Sequence, residues 1–290
     1  MAKLKYRFTN DVLFKWLFSR NQQLLKRLIA LMLSIEHSSI REFVITNPEI
    51  LPETLGEKLC RLDINMTVDG RKVDLEIQVS DCMGNFPERS LYYWAREYSS
   101  ALYEGEDYID APQAVIIGIL GYKQFPCAEY YSEYQALEIT RYTQLTDRLC
   151  LKYYELPKLP EITDTQDELK LWLALFNAKT EEDLRKIESM GVPIMDQAIG
   201  AYRTATSEDE FKRLERMRFE ASLEEASALG HARRKGEEKA NKKWKKVIAE
   251  KDKALADKDK ALADMCATIA DLGADIEMLR KQVAELQNKQ

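Results

Sequence analysis

The chain has 290 residues, 45% of them apolar and 32% charged, with a formal net charge of −6. Such a chain can bury one main core and carry long exposed helices, and its acidity argues against general coating of nucleic acid while leaving room for a local basic groove. Five scattered cysteines without a Cys-x-x-Cys pair exclude a zinc ribbon and fit a reducing cytoplasm.

The first residues carry no apolar stretch after their charges, so a secretory signal is not expected. Thr9 or Asn10 can cap a helix in which Leu13, Phe14, Leu17 and Phe18 recur at helical spacing. A second helix is predicted over Gln22 to Leu33. The apolar run from Leu28 to Ile35 is far too short to span a bilayer, so no membrane partner is expected. Arg41 to Thr46 reads as a short strand, closed by Asn47-Pro48.

Arg61 to Val79 holds the most specific local signal. Asp69-Gly70 separates two alternating runs, and this pair favours a two-residue hairpin loop because a type I′ turn needs positive φ at both positions. The implied register sets Val68 opposite Arg71, Met66 opposite Val73, Ile64 opposite Leu75 and Asp63 opposite Glu76. One face then carries Leu62, Ile64, Met66, Val68, Val73, Leu75, Ile77 and Val79. The other carries Arg61, Asp63, Asn65, Thr67, Lys72, Asp74, Glu76 and Gln78. A slip of one residue would mix the faces, so the register is well specified. Opposed β-carbons lie about 4.5–5.5 Å apart, and two carboxylates held so closely need a cation between them or a shared proton. The polar face is either a solvated surface or a metal site.

Beyond Pro87 a helix is predicted over Glu88 to Tyr103. Ala114 to Leu120 is a continuous apolar run, as in a strand buried on both faces. Tyr130 to Ile139 and Leu149 to Leu156 are further strands. Together these describe an α/β core with a mixed sheet flanked by helices. From Gln166 onward the pattern is helical. Arg233 to Lys253 holds ten basic and four acidic residues, a net of +6. Finally Lys251 to Asp257 repeats letter for letter at Lys258 to Asp264, within a heptad running through Ile248, Leu255, Leu262, Ile269, Ile276 and Val283. Met265, Leu272, Leu279 and Leu286 lie three residues on. Lys251 and Lys258 take the first two of these positions and weaken that end, so the pattern of a parallel two-stranded coil is firmest from Met265 onward. It predicts a homodimer, the alternative being a single amphipathic helix packed on its own domain. The expected divisions are 1–160 for the core, 161–236 for a helical region and 237–290 for the basic segment and coiled coil.

The chemistry is narrowed by what is scarce. Only two histidines exist, His37 and His231, and with no second ligand at helical spacing they read as incidental. Phosphate-binding Gly-rich loops are missing from the sequence, and no organic cofactor is expected. Carboxylate chemistry remains. Asp63 and Glu76 could offer hard oxygen ligands to Mg²⁺, which polarises phosphoryl oxygens and activates water. Gln78 shares their face and is placed to orient that water.

Asp63 followed by Glu76-Ile77-Gln78 resembles the Asp…(Asp/Glu)-x-Lys signature of PD-(D/E)XK nucleases, and more narrowly the Rpn recombination-promoting nucleases, a branch of PD-(D/E)XK family transposases. Asn10 to Phe18, Leu62-Asp63, Leu75 to Gln78, Arg89 to Tyr93, Gly105 to Tyr108 and Tyr154 to Lys158 match in order. The resemblance implies a restriction-endonuclease-like core that cuts DNA with Mg²⁺ (or Mn²⁺), in recombination, transposition or another mobile-element setting. Asp63, Glu76 and the main-chain carbonyl of Ile77 would be the metal ligands. Gln78 takes the place of the superfamily lysine, as is usual in the Rpn branch, but a neutral amide supplies no positive charge. Lys72 and Arg61, on the same face, are candidates to supply it. Asp11 is either a third acid of the site or a helix-start residue favoured by the dipole. Arg89 and Tyr93, four apart on one helical face, are candidates to meet a DNA phosphate or to pack on the core. Lys242, Lys243, Lys245 and Lys246 are candidates for sequence-independent phosphate contact, or a solvated lead-in to the coil. The alternative is a catalytically inactive DNA-binding or assembly protein that retains the nuclease fold.

Overall fold

A computed structural model describes residues 2–46, 64–80, 84–100, 105, 107–162 and 165–287. The chain divides into two compact units, Met1–Ala221 and Ser222–Gln290. The first is built on a six-stranded sheet of order β1-β2-β3-β4-β6-β5. Its strands are β1 (Phe43–Ile45), β2 (Ile64–Val68), β3 (Arg71–Gln78), β4 (Ala114–Leu120), β5 (Tyr131–Leu137) and β6 (Gln144–Glu155). β3, β4 and β6 run parallel to their neighbours in that order, while β1–β2, β2–β3 and β5–β6 are antiparallel. The mixed sheet expected from the sequence is therefore present.

The hairpin register is the expected one over its described length, with Ile64 opposite Leu75, Met66 opposite Val73 and Val68 opposite Arg71. Asp69 and Gly70 both take positive φ, 46° and 78°, as a type I′ turn requires. Asp69 does a second task there. Its Oδ1 accepts the backbone N–H groups of Arg41 and Glu42 at 2.9 and 2.8 Å, which brings β1 alongside β2. The Glu42 N–H is the main reason its carboxyl is held below the ordinary range.

Because side chains alternate, the sheet has two distinct faces. One presents Ile64, Met66, Val68, Val73, Leu75, Val115, Ile117, Ile119, Cys150 and Tyr154 to the main core. Helices α1 (Asp11–Arg20) and α2 (Gln22–Leu33) supply much of the rest of that core. Asn10 caps α1, accepting from Leu13 N–H. Residues from Val12 to Phe18 are buried without interruption, Lys15 among them at 3% exposure, so α1 is enclosed on every side.

Helices α4 (Glu168–Asn177), α5 (Glu181–Glu188) and α6 (Pro193–Ser207) join the same core through Leu171, Trp172, Phe176, Leu184, Met195 and Ile199. So does the start of α7 (Asp209–Gln287) through Phe211 and Leu214. The helical residues set apart in the sequence at 161 thus share one core with the sheet.

The opposite face is covered by α3 (Phe86–Ser100). Phe86, Ile116, Leu120, Leu151 and Tyr153 form a smaller buried cluster there. Gly118 is the reason α3 can lie so close. A β-carbon at that position would sit 2.7 Å from Phe86 Cε1, which real contacts do not allow. Ser90 Oγ and Tyr153 OH are 2.5 Å apart, and Trp94 Nε1 donates to Arg148 O at 3.1 Å. Residues 86, 90 and 94 therefore fasten one stripe of α3 to the sheet.

In the second unit α7 is helical to Gln287. Its heptad side chains, from Ile248 and Leu255 to Leu279 and Val283, are each 52–64% exposed. No helix among the described residues is long and apolar enough to cross a membrane.

Candidate functional site

Strand β3 delivers the polar residues of the hairpin to the face beneath α3. Asp74, Glu76 and Gln78 follow one another at alternate positions, about 6.6 Å apart by strand rise. Glu76 pairs laterally with Gly118, and Gln78 with Leu120. The missing side chain of Gly118 leaves the space that Phe86 enters beside Glu76. Glu76 is mostly sheltered, with a side chain 12% exposed. Its Oε1 accepts Gln78 Nε2 at 2.6 Å and lies 3.4 Å from Arg89 Nη2. The Arg89 guanidinium in turn lies 5.2 Å from the Phe86 ring centre. Asp74, one pleat back, is 2% exposed.

The expected site residues do not all converge. Glu76, Gln78 and Arg89 are brought together. Tyr93 continues the Arg89 stripe of α3, and Arg96 extends it, with its guanidinium 5.9 Å from the Tyr93 ring centre. Lys72 stays on the predicted face, but its Nζ donates to Thr67 Oγ1 at 3.4 Å. Four residues of strand, about 13 Å, separate it from Glu76. The Ile77 side chain points to the main core, so only its main-chain carbonyl is available as a ligand.

Asp11 accepts Arg218 Nε at 3.1 Å through Oδ2 and the N–H of Val12 at 2.9 Å through Oδ1. It ties α1 to the start of α7. Asn10 joins the same junction by donating to Glu215 Oε1 at 3.0 Å. Burial pushes the Glu215 carboxyl up, with Asp11 adding to that shift and Asn10 and Arg218 opposing it. Asp63 and Arg61 lie outside the described residues, as does the expected pairing of Asp63 with Glu76. Lys242, Lys243, Lys245 and Lys246 lie on exposed turns of α7 in the second unit.

Two features were missed by the sequence reading. The Arg89–Glu76 contact depends on α3 docking over Gly118, which no local spacing reveals. The depth of Asp74 was also unseen, although its place on the polar face was evident.

The donor chemistry fits a hard divalent cation. Carboxylate and main-chain oxygens suit Mg²⁺ or Mn²⁺. Among the described residues no group of three or more His, Cys, Asp or Glu is arranged to hold a metal. Mg²⁺ does not need such a group, since it binds through one or two carboxylates and keeps several waters.

The fold is an α/β protein with a mixed sheet, whose strand β3 ends in an acid-x-amide run under a covering helix. The family model for PD-(D/E)XK nuclease family transposases matches residues 8–232, and the chain belongs to that family. No curated protein and no solved structure matches it. The matched stretch contains β1 to β6, α1 to α6 and the start of α7.

Proposed function

We propose that this protein is a Mg²⁺-dependent DNA endonuclease that hydrolyses phosphodiester bonds in a recombination, transposition or mobile-element setting. The observation that carries this reading is the hydrogen-bonded Glu76–Gln78 pair at the end of β3, sheltered by α3, a pair that resembles the acid-x-Gln end of the family's signature. Asp63, Glu76 and the Ile77 carbonyl would hold the metal. When bound, the metal would polarise a phosphoryl oxygen and lower the pKa of a bound water. Gln78 uses its amide N–H to fix the Glu76 carboxylate, and its amide oxygen is free in type to accept from a water. Arg89, Tyr93 and Arg96 form a stripe suited to a phosphate backbone. The basic run of α7 would add salt-sensitive affinity.

The exposed heptad face of α7 further supports a parallel homodimer. Apolar side chains repeating every seven residues are stable in water only when another helix covers them. Full-length protein is expected to sediment as a dimer, and a monomer at micromolar concentration would contradict that. A reducing cytoplasm suits the free thiols of Cys127, Cys150 and Cys266.

The test of function is supercoiled plasmid incubated with purified protein and Mg²⁺, or with EDTA in its place. Nicked or linear product is expected with Mg²⁺ alone. Salt-sensitive binding without cleavage under any divalent metal would instead favour the non-catalytic DNA-binding protein.

A further inference from the structure

The polar face of β3 lacks a lysine where the superfamily pattern has one, yet a basic side chain is already beside the acid. Gln78 is neutral, and its Nε2 is engaged with Glu76 Oε1 at 2.6 Å. The same oxygen lies 3.4 Å from Arg89 Nη2. Lys72, on the same strand, is about 13 Å away by strand rise and donates to Thr67.

Arg89 is well held. Its helix is anchored on either side by Phe86 in the gap above Gly118 and by Ser90 on Tyr153. Its guanidinium lies near the Phe86 ring. Its side chain is nonetheless 30% exposed, so one edge remains open to an arriving phosphate. The planar fork of Arg can keep one N–H on a carboxylate while presenting others to phosphate oxygens.

We propose that Arg89 is the cationic catalytic residue of this site, supplied by α3 rather than by β3. It contacts a non-bridging oxygen of the scissile phosphate and stabilises the charge that grows there, while sharing Glu76 with Gln78. This rests on the nuclease reading. In the hydrolysis a water oxygen bonds to phosphorus and the bond to one ester oxygen breaks. The water gives up a proton to solvent, and the leaving oxygen takes one from solvent. Arg89 acts only by hydrogen bonding and charge and takes no part in either proton transfer.

The geometry also predicts competition. A guanidinium next to Glu76 opposes a second cation at the same carboxylate. Removing it should therefore tighten divalent-ion binding even as cleavage falls.

The test uses full-length wild type, Arg89→Gln, Arg89→Lys and the double variant Arg89→Gln/Gln78→Lys. One readout is the single-turnover rate on plasmid with Mg²⁺. The other is Mn²⁺ binding to the DNA-free protein by electron paramagnetic resonance. Arg89→Gln is expected to slow cleavage by about 10²–10³-fold, the loss typical of removing one preorganised donor at developing charge. It is also expected to bind Mn²⁺ several-fold more tightly. Arg89→Lys should retain part of the rate, and Gln78→Lys should recover at least tenfold in the Arg89→Gln background. Wild-type cleavage alongside undiminished cleavage by Arg89→Gln would overturn this proposal alone. So would equal losses in Arg89→Gln, Arg89→Lys and the double variant with Mn²⁺ affinity unchanged, which would make Arg89 a structural tie. A wild type that cleaves nothing would remove the nuclease reading and this proposal with it.

Discussion

Glu76→Ala is expected to lose plasmid cleavage by about a thousandfold or more while the protein stays folded. The metal's contribution to phosphoryl transfer is several kcal/mol, and each 1.36 kcal/mol is about tenfold in rate. A carboxylate that holds such an ion cannot be removed cheaply. Its structural role is smaller. Glu76 is tied to Gln78 and Arg89, but Arg89 is partly exposed and can turn to solvent when its partner is lost. The melting temperature of Glu76→Ala should therefore remain within a few degrees of wild type, an expectation in line with the modest worth of a partly solvated ion pair. Single-turnover rates and thermal melts on the same preparation separate the two effects. Retained cleavage in a folded Glu76→Ala protein would remove Glu76 from the site.

The second large effect belongs to stability. Lys158→Ala is expected to cost about 3–5 kcal/mol, the usual penalty for stranding one member of a buried ion pair. Glu155 and Lys158 are 0% and 5% exposed and 2.6 Å apart. Glu155 Oε1 also accepts the N–H groups of Gln124 and Phe125 at 2.6 and 3.2 Å, and Lys158 Nζ donates to Phe125 O at 2.8 Å. The pair thereby clamps the turn after β4 to the end of β6. For a unit of this size about 2–4 °C is lost per kcal/mol, so melting should fall by roughly 6–20 °C.

A drop in activity should accompany that loss, because the clamped turn begins beside the candidate site. Gly121 N donates to Gln78 O at 2.8 Å, and a side chain at Gly121 would meet the Val79 carbonyl oxygen at 2.8 Å. Replacing both partners by Glu155→Gln and Lys158→Met should recover part of the stability, since no unpaired charge then remains buried. An unchanged melt in Lys158→Ala would mean the clamp contributes little.

Local signals account for much of the fold. The Asp69-Gly70 turn and strict alternation fixed both register and faces, because a slip would have exposed every apolar residue of the hairpin. The continuous run from Ala114 to Leu120 read as a buried strand because β4 lies between two parallel neighbours. By contrast, β6 begins at Gln144, five residues earlier than its apolar part. The early half pairs with β5 but is largely exposed, so it leaves no hydrophobic signature.

The packing of α4–α6 was not legible for a related reason. An amphipathic helix announces that one face needs cover, but its sequence does not say which surface provides it. The site divides in the same way. Glu76 and Gln78 share a face by strand period alone, whereas Arg89 reaches them only through a helix seated in the gap left by Gly118, 29 residues further along the chain.

The central claim is that the polar end of β3 holds a divalent cation, and a crystal of the full chain grown with Mn²⁺ tests it most directly. The anomalous signal is expected at the Glu76 carboxylate, with Asp63 and the Ile77 carbonyl completing the protein's share of ligands. Saturating Mn²⁺ with no signal there, while Glu76 stays bonded to Gln78 and Arg89, would contradict it.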